Sequence, residues 1–185
     1  MNIWKVIAIS LVSLSLAACV SGPITRPVSV NPQLNALQAS NLGQGRAVSV
    51  SVTDHSMNTS NNKGIDFVMT PVGAAKLQAA WAQGLTKLGF RPVSAAAQPA
   101  RRIVADLRLL TYYVNTKNNT RNVVANFEIT VYNHGKAIAH SYQSRVPAAI
   151  LSAQPDQAQS YVNRALATVM IQVLQDQLMM QFLAQ

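Results

Sequence analysis

Residues 121–132 read RNVVANFEITVY, and every odd position from Val123 to Val131 is apolar. Val123, Ala125, Phe127, Ile129 and Val131 share one side, and Asn122, Val124, Asn126, Glu128, Thr130 and Tyr132 share the other. A period of two marks a strand with one buried face. Towards the C-terminus, Asn133-His134-Gly135 suits a three-residue hairpin loop with glycine in the left-handed position, and Lys136–Val146 returns as the next strand. Loop length sets register. A three-residue loop places Glu128 opposite His140 and Asn126 opposite Tyr142, and turns the small residues Ala137, Ala139 and Ser141 inward, where a helix can approach. Towards the N-terminus, Asn115–Thr120 is a polar turn and Arg102–Val114 a long strand. Ile103, Ala105, Leu107 and Leu109 point inward there; Val104, Asp106, Arg108, Leu110 and Tyr112 point outward. With parity kept through the turn, Arg108, Glu128 and His140 form one row across the outer face.

The flanking segments supply the rest of the fold. Arg46–Thr53 alternates, with Val48, Val50 and Val52 against Ser49, Ser51 and Thr53. Asp54–Thr70 is a polar loop that can hold a short arm through Ile65, Phe67 and Met69. Thr70-Pro71 suits a helix start, Leu77, Trp81, Leu85 and Leu88 form a helical stripe, and Gly89 stops it. Phe90–Val93 is a short extended piece. Pro155 opens a final helix that can run to about Leu183, with Asp156 in its first turn and a stripe through Val162, Leu166, Val169, Val173 and Met180. Its glutamines exclude a membrane span. The order β-α-β-β-β-α predicts an α+β two-layer sandwich: a four-stranded mixed sheet with both helices on one face, its first two strands parallel through a right-handed crossover.

The N-terminus carries an address. Met1–Lys5 is a short basic region, Val6–Leu16 is apolar but too short to span a bilayer, and Leu16-Ala17-Ala18-Cys19 has the form of a bacterial lipobox. In that pattern a signal peptide of residues 1–18 is removed and Cys19 takes the lipid; each buried CH₂ of the acyl chains contributes about 0.8 kcal/mol to membrane attachment. Cys19 is the only cysteine, so no intramolecular disulfide forms. Val20, rather than aspartate, follows it, which favours the outer membrane and its periplasmic side. Residues 19–45 are rich in Pro, Gly, Ser, Asn and Gln and suit a lipidated flexible tether, or, through Val28, Val30 and Leu34, an edge segment docked on the domain. Residues 46–185 then form one domain. Loss of 18 of the 185 residues removes Lys5 and takes the net charge from +9 to +8. The basic residues are dispersed from Arg26 to Arg164, without the aromatic-basic motif of a nucleic-acid binder. They suit a solubilising surface, or contact with lipid phosphates and wall polymers.

Little in the chain suggests catalysis. The cysteine is committed to lipid, and His55, His134 and His140 lie in different segments. No phosphate loop, metal-ligand cluster or cofactor motif is present in the sequence, so neither a cofactor nor a metal is expected. The alternative is a cell-wall or lipid hydrolase with Asp54, His55 and Asp66 meeting across the polar loop. The favoured function is a non-catalytic binding or scaffolding module. Its candidate face holds Arg108, Tyr112, Glu128, Tyr132, His140 and Tyr142, and its partner is an envelope protein, the cell wall or lipopolysaccharide. Self-association through that face or a sheet edge is a third reading.

The lipobox at Cys19, the strand Val48–Asp54 followed by a loop with Gly64, the helix ending Lys87-Leu88-Gly89-Phe90, and the long hairpin strands together resemble the YajG family of bacterial lipoproteins. The resemblance implies an outer-membrane lipoprotein of poorly defined role. A D-x-R pattern expected after the first strand is here Asp54-His55-Ser56, so any role of that arginine does not carry over.

Overall fold

The computed structural model describes residues 24–56, 65–150 and 155–185. The leader, Cys19 and Gly64 lie outside them. The elements run β1 (Ile24–Val28), β2 (Ala47–Asp54), β3 (Ile65–Met69), α1 (Gly73–Lys87), β4 (Arg91–Val93), a 3-10 turn at Ala95–Ala97, β5 (Arg101–Asn115), β6 (Thr120–Asn133), β7 (Lys136–Pro147), α2 (Pro155–Gln175) and α3 (Gln177–Ala184). The fold is α+β, as expected, but among the described residues the four-stranded sheet becomes seven strands and the two helices become three.

β5 is the spine. One edge pairs antiparallel with β6 over its whole length. The other edge is shared: β2 runs parallel to the first half, Ser49 opposite Arg102 through Asp54 opposite Leu107, and β3 runs antiparallel beside the second half, Asp66 opposite Thr111. β4 extends the sheet beyond β2 and β1 beyond β3, both in parallel. The change of partner coincides with a β-bulge at Arg108, since Leu107 faces Phe127 and Leu109 faces Asn126. A bulge bends and twists its strand, so β5 turns where one partner ends and the next begins, and the sheet curls.

The bulge also reverses the pleat. Ile103, Ala105 and Leu107 are inward as expected, but after Arg108 the inward positions become Leu110 and Tyr112, 1% and 5% exposed, and Leu109 faces outward. A second one-residue difference lies at the hairpin. Asn133 pairs with Lys136, leaving a two-residue turn of His134 (φ 47°) and Gly135 (φ 80°), the left-handed pair a type I′ turn needs. The register therefore moves by one. Glu128 faces Ser141, Ile129 faces His140 and Phe127 faces Tyr142. Ala137, Ala139 and Ser141 turn outward; Ile138, His140, Tyr142, Ser144 and Val146 share the helix-side face.

The helices cover that inner face, where the core stripe of α1 meets the sheet and Trp81 sets its ring edge-on to Phe127 at 6.3 Å. The α1 start differs from expectation. Gly73 N–H is taken by the Thr70 carbonyl at 2.7 Å, so a backbone turn precedes the helix, Val72 occupies the cap position and no side chain caps it. One helix was expected from Pro155 to Leu183. It breaks at Asp176, whose extended backbone (ψ 108°) and side chain, accepting from Met179 N at 3.1 Å, start α3.

A flexible tether over residues 19–45 does not describe the chain from Ile24 onward. Val28, Val30, Leu34 and Leu37 are all buried. Residues 40–45 supply donors to the end of α1: Ser40 N to Lys87 O at 2.8 Å, Gly43 N to Leu88 O at 2.9 Å and Gly45 N to Gly89 O at 2.7 Å. The last carbonyls of a helix have no partner within it; the 88–90 turn meets those of Gly84, Leu85 and Thr86, and this segment meets Lys87 and the two carbonyls that follow.

Candidate functional site

The two register changes decide where the candidate face residues go. Arg108 and Glu128 are together on the outward face: the guanidinium meets Oε2 at 2.7 Å through one Nη and at 2.9 Å through Nε. Asp106 stands 3.6 Å from the same guanidinium, and His55 Nε2 stands 3.9 Å from Asp106. The side chains of His55, Arg108 and Glu128 are exposed and that of Asp106 is half-buried, so the Arg108–Glu128 pair contributes at most about 1 kcal/mol. Tyr132 also faces outward, beneath Arg102, whose guanidinium carbon lies 4.0 Å over the ring. The other three residues leave that face. Tyr112 is buried inward by the bulge and donates its hydroxyl to Ala149 O at 3.2 Å. His140 and Tyr142 are turned by the hairpin register to the helix side. The expected row of Arg108, Glu128 and His140 is thus split, and of the candidate face only Arg108, Glu128 and Tyr132 stay together on the outer side.

On the helix side a polar cluster forms that sequence reasoning missed. Tyr142 donates its hydroxyl to Asp176 Oδ2 at 2.6 Å, and His140 Nδ1 lies 3.7 Å from the same oxygen. The rings of His140 and Tyr142 meet edge-on at 5.5 Å. Burial works against the Asp176 charge, but the Tyr142 hydroxyl and the N–H groups of Met179 and Leu178 outweigh it and hold the carboxyl below its ordinary value. Burial, and then the bond to Asp176, push the Tyr142 phenol far above its ordinary value. This is a clasp joining β7 to the α2–α3 corner. No sequence signal marks it, because its geometry requires the two-residue turn.

The alternative hydrolytic group is not assembled. Asp54 Oδ1 accepts from Ser56 N at 3.0 Å and Ser56 Oγ at 2.6 Å, closing a local turn. Asp54 lies opposite inward Leu107 and Asp66 opposite outward Thr111, so the two acids occupy opposite faces of the sheet. Asp66 is 4% exposed and its Oδ2 has no hydrogen-bond partner among the described residues. No cluster of three or more metal-ligating side chains occurs among the described residues.

The outward face carries one further feature. Ser49 and Ser51 of β2, Arg102 of β5 and Tyr132 of β6 floor a cleft of about 480 Å³, walled by Gln98–Ala100 and by Gly135 of the hairpin turn. Nearby, the outward strip of Asp106, Arg108, Glu128, Ala139 and Ser141 has none of the described helices over it. At the far end of the same face Asp66, Thr111 and Val124 are buried. No helix among the described residues is long and apolar enough to cross a membrane.

The fold resembles the crystal structure of an uncharacterised protein, with a TM-score of 0.52, 11% identity, and 82% of this chain covering 99% of that one. It also aligns with a minor lipoprotein from Acinetobacter baumannii (TM-score 0.47, 11% identity, 72% of this chain and 91% of that one). A further match is the lipoprotein GNA1162 from Neisseria meningitidis (TM-score 0.41, 9% identity, 59% and 88%). At these identities the first likeness concerns the fold alone, and no curated protein sequence matches the chain. The Lipoprotein_16 family, described as uncharacterised lipoproteins, matches residues 32–184, and the chain belongs to that family.

Proposed function

We infer that this protein is a lipid-anchored, non-catalytic binding or scaffolding module at the periplasmic face of the outer membrane. The observation that carries this reading is the strip of β5–β7 that no described helix covers, where Arg108 is held between Glu128 and Asp106 and these groups do not converge on a reactive atom. The lipobox ending at Cys19 supports attachment through lipid, as does membership of a lipoprotein family. The resemblance to the YajG lipoproteins and Val20 after the cysteine support the outer membrane. The partner is an envelope protein, peptidoglycan or lipopolysaccharide meeting the strip around Arg108, Glu128 and Ser141.

The test is crosslinking in intact cells at native expression, with the wild-type chain, Glu128→Arg and Cys19→Ala. Mass spectrometry should find an acylated Cys19 at the mature N-terminus. The wild-type chain should give a discrete adduct that Glu128→Arg weakens and Cys19→Ala abolishes. A free Cys19 thiol, or an adduct pattern unchanged by both substitutions, would end this reading.

A further inference from the structure

The arginine in the outward cleft differs from its neighbours. Arg108 is paired with Glu128 and Asp106. Arg102 has the ring of Tyr132 beneath it at 4.0 Å and no carboxylate or carbonyl acceptor among the described residues. Stacking on an aromatic face holds a guanidinium in a fixed plane while leaving its in-plane N–H groups free. None of the residues lining the cleft is acidic. Ser49 in the floor is 5% exposed and lines the cleft beside Arg102. The cleft volume, about 480 Å³, lies in the range of small-ligand sites.

We propose that this cleft binds an oxyanion, a carboxylate or phosphate group on a small polar body, with Arg102 as a two-pronged donor and Ser49 as a second donor. A planar guanidinium matches two oxygens of either anion, which an ammonium cannot do. Tyr132 is the platform that fixes the prongs, and a cleft of about 480 Å³ has room for a body of a sugar ring or more. The site goes beyond the partner strip proposed above. It rests on the reading that the module binds and does not turn its ligand over, and it does not depend on the lipid anchor.

The experiment is calorimetric titration of the full mature lipoprotein in a non-ionic detergent with glucuronate, glucose 6-phosphate and glucose, which share one ring and differ in charge. Saturable binding is expected for at least one of the two anions, weakening as salt is raised, and none for glucose. Glucuronate alone identifies the carboxylate as the source, glucose 6-phosphate alone the phosphate, and either result supports the site. Arg102→Ala should weaken binding about tenfold or more, as loss of a charged donor implies. Arg102→Lys should recover only part of it, and Arg145→Ala, elsewhere on the same face, should leave it unchanged. Thermal melts of each variant confirm folding. Binding of neither anion, equal binding of glucose, or equal affinity in a folded Arg102→Lys protein would overturn the proposal. None of those results touches the crosslinking test of the tethered module.

Discussion

Tyr142 shows how much one side chain carries here. Its hydroxyl is one of the donors that hold the Asp176 carboxyl below its ordinary value at a partly buried corner, and Asp176 in turn caps α3 through Met179 N. Replacing Tyr142 with Phe removes a hydrogen bond to a charged acceptor, worth about 1.5–3 kcal/mol. The Asp176 carboxyl is held below its unfolded value. Its stabilisation is therefore complete above the unfolded carboxylate range and is lost as pH falls through the folded value. Urea unfolding should show the full deficit of Tyr142→Phe at pH 7 and a shrinking one as acid protonates Asp176. A deficit that stays constant down to pH 2 would mean the clasp contributes through packing alone. Tyr142 was legible as an aromatic residue of an alternating strand, but not as the partner of an acid 34 positions away.

The segment between β1 and β2 is the element that periodicity could not place. It has neither a two- nor a 3.6-residue repeat, and its Pro, Gly and Asn content matches a linker. What holds it is the unsatisfied end of α1. A side chain at Gly43 would meet the Phe90 amide nitrogen and come within 2.6 Å of the Gly89 carbonyl carbon. Both are backbone atoms that cannot step aside. Gly43→Ala should therefore cost about 1–3 kcal/mol, the usual penalty of overpacking, and lower the melting temperature. Gly45→Ala meets nothing within 4 Å, although its φ of 74° strains any side chain, so its cost should be conformational only, nearer 1 kcal/mol. Hydrogen exchange then separates the two. Gly43→Ala should lose protection at the Ser40 and Gly43 amides, which bond to the Lys87 and Leu88 carbonyls, while Gly45→Ala keeps it. The break between α2 and α3 has the same character. No glycine or proline marks it, and an aspartate at a helix start is visible only once Tyr142 has arrived to hold it.

For the molecule as a whole, β1 and residues 29–45 are part of the folded unit. Val28, Val30, Leu34 and Leu37 each contribute roughly 1.5–3 kcal/mol through burial. Their sum rivals the 5–15 kcal/mol that separates a typical folded domain from its unfolded chain. A chain beginning at Ile24 should melt cooperatively, whereas one beginning at Ala47 should show no cooperative transition and bind hydrophobic dye. Equal melting of the two would show that the segment only leans on the domain. The sequence by itself determined the α+β class, the long alternating strands, the core stripe of α1 and the outward serines of β2. Each follows from a repeat that a single segment displays without help from its neighbours. Tertiary structure alone decided the bulge at Arg108, the two-residue turn at His134-Gly135 and the choice between tether and docked segment for residues 24–45. A one-residue change in loop or strand costs little locally, yet it moves every following side chain to the other face. Only the simultaneous packing of both faces selects between the two registers, and that packing also decided which of the candidate residues share a surface.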